Sequence, residues 1–150
     1  MSPFLLPNRA LLFPNMNTTT QEYRDFIALN PCAEALAYIS RYENLHDAWD
    51  NCNRPDWMFW YMNVTKRTTT LMQQETFEWI RSKPKDTISI CLLKTYTQQF
   101  YYTDATFQEK AFTLGMLIVH MHNFPHLCNE LCDFIRSNLI SNPFAKHEHL

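Results

Sequence analysis

The chain has 150 residues, a net charge of −2, and 46% hydrophobic and 15% aromatic side chains. That is enough for one domain with its own core, too apolar for a disordered chain, and without the basic excess that nucleic-acid binding needs. Glycine occurs once, at Gly115, and tight hairpins need residues with positive φ, so a hairpin-rich β fold would be hard to build.

In chain order, residues 1–17 read as an apolar, proline-rich arm, with Phe4, Leu5, Leu6, Leu11, Leu12 and Phe13 between Pro3, Pro7 and Pro14. The prolines and the mid-segment Arg9 make it a poor secretory signal and too short to span a membrane. Helical patterns then follow in series. Thr19 and Glu22 have capping-box spacing ahead of Tyr23, Phe26 and Ile27. Asn30-Pro31 reads as an N-cap with proline at the first helical position, followed by Cys32, Ala35, Leu36 and Ile39 on one face. Asn44 caps Leu45, Ala48, Trp49 and Cys52, and Arg54-Pro55-Asp56 opens a helix carrying Trp57, Trp60, Tyr61 and Val64.

Residues 68–81 read as helix, ended by Lys83-Pro84. Asp86 caps a segment to about Tyr101, whose Thr, Ile and Tyr content also suits a strand. Asp104 caps the clearest helix. Phe107, Ala111, Leu114, Ile118 and Met121 repeat at 4, 3, 4 and 3, so residues 104–121 predict a central helix that Gly115 would let a neighbour approach closely. Phe124-Pro125 restarts the chain for a last helix through Leu127, Leu131, Phe134, Ile135 and Leu139. The expectation is an all-α bundle of six to eight helices over residues 18–140, with a flexible tail over 141–150.

Five cysteines, an odd number, behind an N-terminus unlike a secretory signal predict reduced thiols and a cytoplasmic location. Cys32, Cys52 and Cys91 fall on apolar stripes, where a thiol stays protonated and inert. Cys128 and Cys132 are one helical turn apart, and His122 or His126 (with His120 nearby) could complete a zinc site. The spacing matches no recognised zinc motif and Pro125 intervenes, so no metal or other cofactor is expected. The chain has no Gly-x-Ser-x-Gly elbow and no phosphate-binding glycine loop. Asp56 reads as a helix cap.

Aromatic residues carry the remaining signal. Trp57 and Trp60 lie three apart on one side of a helix that is apolar all round, so either it runs through the core or one face meets a partner. Tyr101 and Tyr102 suit a contact surface, and Asp47 and Asp50 could form its acidic rim.

The stretch from Cys32 to Trp60, with Ala48-Trp49, Cys52, Arg54 and Asp56-Trp57-Met58-x-Trp60, resembles a block in small immunity-like proteins of bacteria, phages and other mobile elements. The likeness spans about residues 32–61 and departs downstream, where this chain is rich in Thr, Gln and Phe rather than Ala. The resemblance implies a helical substructure and a mobile-element origin, and brings no catalytic residues. The expected function is therefore a non-enzymatic inhibitor that blocks a larger protein by occupying its surface: a toxin, or a host defence nuclease such as a CRISPR effector. Partner-binding residues would be Trp57, Trp60, Tyr101, Tyr102, Asp47 and Asp50. Two other classes compete with it. One is a metal-stabilised or enzymatic domain using His122, His126, Cys128 and Cys132. The other is a homo-oligomer joined through the N-terminal arm.

Overall fold

The computed structural model describes residues 16–83 and 89–146. The described residues hold eight α-helices and no strand. These are α1 (Gln21–Ala28), α2 (Ala33–Ile39), α3 (Leu45–Asp50), α4 (Pro55–Val64), α5 (Thr70–Arg81), α6 (Ile90–Phe100), α7 (Phe107–His120) and α8 (Pro125–Phe134). A 3-10 turn, Met121–Asn123, joins α7 to α8, and a π turn, Ile135–Leu139, follows α8. The strand alternative for 86–101 is settled as helix from Ile90, while residues 86–88 lie outside the described residues.

Helix ends show why the pattern works with so little glycine. Asn44 accepts from the Asp47 N–H at 2.8 Å, as its cap role predicts. Several other caps sit one to three residues further along than expected. Thr20, Thr69, Ser89 and Thr106 accept at the starts of α1, α5, α6 and α7. At α1, α6 and α7 they replace the Thr19, Asp86 and Asp104 of the sequence reading. Thr106 and Glu109 close a full capping box. Glu22 makes no such box; its carboxylate accepts from the Ala145 N–H at 2.8 Å. Asn30 does not cap α2. Its φ of 62° puts it just past the end of α1, while Cys32 takes the N-cap position. Lys66, at φ 58°, ends α4 in the same left-handed way, with the Arg67 N–H on the Met62 carbonyl at 2.8 Å.

Where the sequence predicts a single domain over 18–140, the chain clusters into two compact units. One takes residues up to Cys52 together with those from Ile140 onward; the other is Asn53–Leu139. In the first, Phe144 packs edge-on against Phe26 and Trp49, with ring centroids 6.3 and 6.2 Å away. Asn142 donates to the His46 carbonyl at 2.9 Å and to Asp50 at 3.0 Å. Residues 142–145 are thus held in place, contrary to the expectation of a flexible tail, because Phe144 has an aromatic slot to fill. Residues 147–150 and 1–15 lie outside the described residues; Asn17, from the expected arm, donates its N–H to Glu43 at 3.0 Å.

In the second unit α7 is central, packing on α4, α5 and α6. Leu114, Leu117, Ile118 and Met121 are buried at its core. Phe77 of α5 and Phe100 of α6 stack at 4.3 Å, nearly parallel. Gly115 corrects an expectation: a Cβ built there meets nothing within 4 Å, so it permits no close helix approach. Cys32 and Cys91 are exposed rather than seated on apolar stripes, whereas Cys52, Cys128 and Cys132 are buried.

Candidate functional site: an apolar groove beside α4 and α7

Pro55 begins α4 and puts Asp56 in its first turn, where the helix dipole favours a negative charge. Arg54 grips that carboxylate with both arms, Nε on Oδ1 at 3.0 Å and Nη2 on Oδ2 at 2.9 Å. His122 Nε2 stands 3.4 Å from Oδ1. Burial pushes the Asp56 carboxyl up, but the Arg54 hydrogen bonds and charge, with help from His122, outweigh it and hold the group below the usual carboxylate range. Asp56 is therefore not the cap it was read as; Arg54 occupies that position without a side-chain cap bond. The Arg54 guanidinium also lies 4.2 Å over the Trp57 ring, which is half-buried beneath it.

The C-terminal His and Cys residues do not converge. Cys128 Sγ donates to the Met121 carbonyl at 3.1 Å. Burial, then the nearby Asp56 charge, push its thiol up, so it stays protonated at neutral pH. His126 is exposed, Cys132 is fully buried, and His120 Nε2 lies 3.1 Å from the Tyr96 hydroxyl. Among the described residues, no three His, Cys, Asp or Glu side chains are grouped to hold a metal ion.

A different feature stands out. The stripe that α7 buries leaves Phe112, Met116 and Val119 on its outer side, 71%, 38% and 50% exposed. With Trp60 and Phe59 of α4 they line a groove of about 350 Å³. Gly115 opens this wall, and Asn63, Thr68 and Gln73 complete it. Phe112 also borders a second, more open hollow with Tyr102, Gln99 and Gln108. Phe112 therefore joins two hollows, the apolar groove of Trp60, Met116 and Val119 and a more polar one that holds Tyr102.

Two of the expected partner-binding residues, Trp60 and Tyr102, thus line hollows that meet at Phe112. The others do not line either hollow. Trp57 lies under Arg54. Tyr101 donates its hydroxyl to Glu78 and packs edge-on against Phe77; burial and the Glu78 carboxylate push its hydroxyl up to about 12. Asp47 and Asp50 belong to the other unit, where His46 Nδ1 lies 3.6 Å from each carboxylate. Phe112, Met116 and Val119 escaped the sequence reading, although their 4 and 3 spacing is a second helical stripe.

Three polar atoms in the groove residues are unusual. Asn63 Oδ1, Thr68 Oγ1 and Gln73 Oε1 are buried without a hydrogen-bond partner. Each such atom costs roughly 1–3 kcal/mol in a folded chain. For Gln73 the orientation is fixed: its Nε2 donates to the Phe107 carbonyl at 3.1 Å, and a carbonyl can only accept, so Oε1 must face the other way.

No protein-family model, curated protein or solved structure matches the chain. The groove has to be read from its own chemistry.

Proposed function

We propose that the protein is a non-enzymatic protein-binding module, and that its contact face is the apolar patch of Trp60, Phe112, Met116 and Val119, bordered by the hollow that holds Tyr102. The observation that carries this reading is the outward stripe Phe112, Met116 and Val119 on α7. Large apolar side chains gathered on one exposed face are costly in water and characteristic of contact sites, and aromatic and Met residues are enriched at interfaces. A net charge of −2 favours a protein partner over nucleic acid. The resemblance of residues 32–61 to immunity-like proteins adds the finer part of the proposal. In that reading the module comes from a phage or mobile element, acts in the cytoplasm, and inhibits a larger protein by covering its surface. The target is a cognate toxin or a host defence nuclease such as a CRISPR effector.

The test is affinity capture from a bacterial host lysate with the wild type beside Phe112→Asp/Val119→Asp, both checked by circular dichroism. Both positions are exposed, so the variant should keep its helicity. The expected result is one large protein captured by the wild type, with binding of the purified partner weakened at least about tenfold in the variant. Equal capture by both proteins, or none by either, overturns the reading.

A further inference from the structure

We infer that residues 16–52 form a binding site for an Asn-Pro-Phe turn, which the chain's own residues 142–145 fill, and that an Asn-Pro-Phe segment of a partner polypeptide takes their place. The site lies away from the groove of α4 and α7 and does not depend on it.

Each contact at the site reads one feature of a short turn. The turn first closes on itself. Asn142 Oδ1 accepts the Phe144 N–H at 2.9 Å across Pro143, whose fixed φ suits the bend and which has no N–H to satisfy. The Asn142 amide nitrogen then donates outward, to the His46 carbonyl at 2.9 Å and to Asp50 Oδ1 at 3.0 Å. Both ends of one amide are thus in use, and an aspartate, which only accepts, could not do the same. The Phe144 ring is 8% exposed, edge-on to Phe26 and Trp49. The Ala145 N–H donates to Glu22 at 2.8 Å. Two carboxylates therefore meet N–H groups of the segment, which disfavours acidic flanks on a ligand; the next residue here is Lys146.

The segment is built as a ligand. The residues that hold it, Glu22, Phe26, His46, Trp49 and Asp50, all precede Cys52, whereas the filler follows Leu139. Its contacts are those of four residues, and any chain with the same turn reproduces them. As a tethered ligand it acts at an effective concentration on the order of millimolar. A free peptide therefore binds well only when the hold of residues 142–145 is loosened.

The experiment titrates the full chain with a labelled, end-blocked peptide Ser-Asn-Pro-Phe-Ala-Lys, the sequence of residues 141–146, followed by fluorescence anisotropy and NMR. Phe144→Ala is expected to bind it at least about tenfold more tightly than the wild type and to melt at a higher temperature in its presence. Shift changes should fall within residues 22–50. Peptides with alanine in place of the asparagine or the phenylalanine should bind at least about tenfold more weakly.

Equal affinity of the peptide for wild type and variant overturns the inference, as does binding that ignores the asparagine or shift changes confined to residues 53–139. Absence of binding to Phe144→Ala with wild-type helix content overturns it too. If Phe144→Ala loses helix, Asn142→Ala takes its place, since it keeps the ring and loses the turn and both bonds to α3; no gain in peptide affinity over the wild type then overturns the inference. A wild-type dimer in light scattering that Phe144→Ala abolishes would assign the site to the tail of a second copy and overturn the separate partner.

Discussion

At the scale of single residues, the two-armed grip of Arg54 on Asp56 fixes a negative charge at the start of α4 and shields the face of Trp57. The folded carboxyl titrates below its ordinary value of 3.8. Its ionised form therefore contributes stability that is complete above 3.8 and disappears as the pH falls through the lower folded value. Asp56→Asn is expected to cost about 1–2 kcal/mol at pH 7, from charge-assisted hydrogen bonds weakened to neutral ones. The cost should shrink as the pH falls through the lower folded value, below which wild type and variant are both uncharged at this position. Urea denaturation of the two proteins at pH 7 and at successive steps below pH 3.8 measures the difference. An equal cost throughout would mean that shape, not charge, is what the position needs.

At the scale of helices, α7 has two jobs on two faces. Its inner stripe packs the core of the 53–139 unit, and its outer stripe lines the groove. Gly115 sits between them with nothing near its missing Cβ, in the interior of a helix where glycine is the poorest residue after proline. Gly115→Ala is expected to raise stability by up to about 1 kcal/mol and the melting temperature by a few degrees. Thermal denaturation checks it, and a loss of stability would show that the backbone at Gly115 needs to stay bare.

The same helix shows what the sequence could reveal. The inward positions Leu114, Ile118 and Met121 were legible because the 4-3-4-3 repeat selects one face. Phe112, Met116 and Val119 were not, because the segment around them is apolar all round, and periodicity alone cannot say which of two stripes stays uncovered. Helix identities followed from prolines and apolar spacing, but the caps slipped by one to three residues. Ser, Thr, Asn and Asp crowd the starts of α1, α5, α6 and α7, and only backbone geometry chooses among them. The orphan oxygens of Asn63, Thr68 and Gln73 had no signal at all, since they arise from where distant helices leave the amides and hydroxyls. Exposure of Cys32 and Cys91 was misread because one apolar face was assumed to be a buried face.

At the scale of the whole molecule, the unit formed by residues up to Cys52 is completed by a distant piece of chain. Phe144, 8% exposed, fits between Phe26 and Trp49, and Asn142 ties its approach to α3. Phe144→Ala is expected to cost about 3 kcal/mol, because two aromatic neighbours lose an edge-on ring contact and a cavity is left. Limited proteolysis should then cut first within residues 16–52, ahead of any site in 53–139. Simultaneous cleavage in both units would show that the two unfold as one. The segment Asn53–Leu139 is continuous, whereas its neighbour needs chain from both sides of it. Synthesis runs from the amino end at about 5–20 residues per second, so Trp49 is made roughly 5–20 seconds before Phe144 exists to cover it. During that interval the middle of the chain can close its own core, while the first helices still lack Phe144. An emerging polypeptide would thus go without the Phe144 contacts of Phe26 and Trp49 for as long as the ribosome takes to write the intervening sequence.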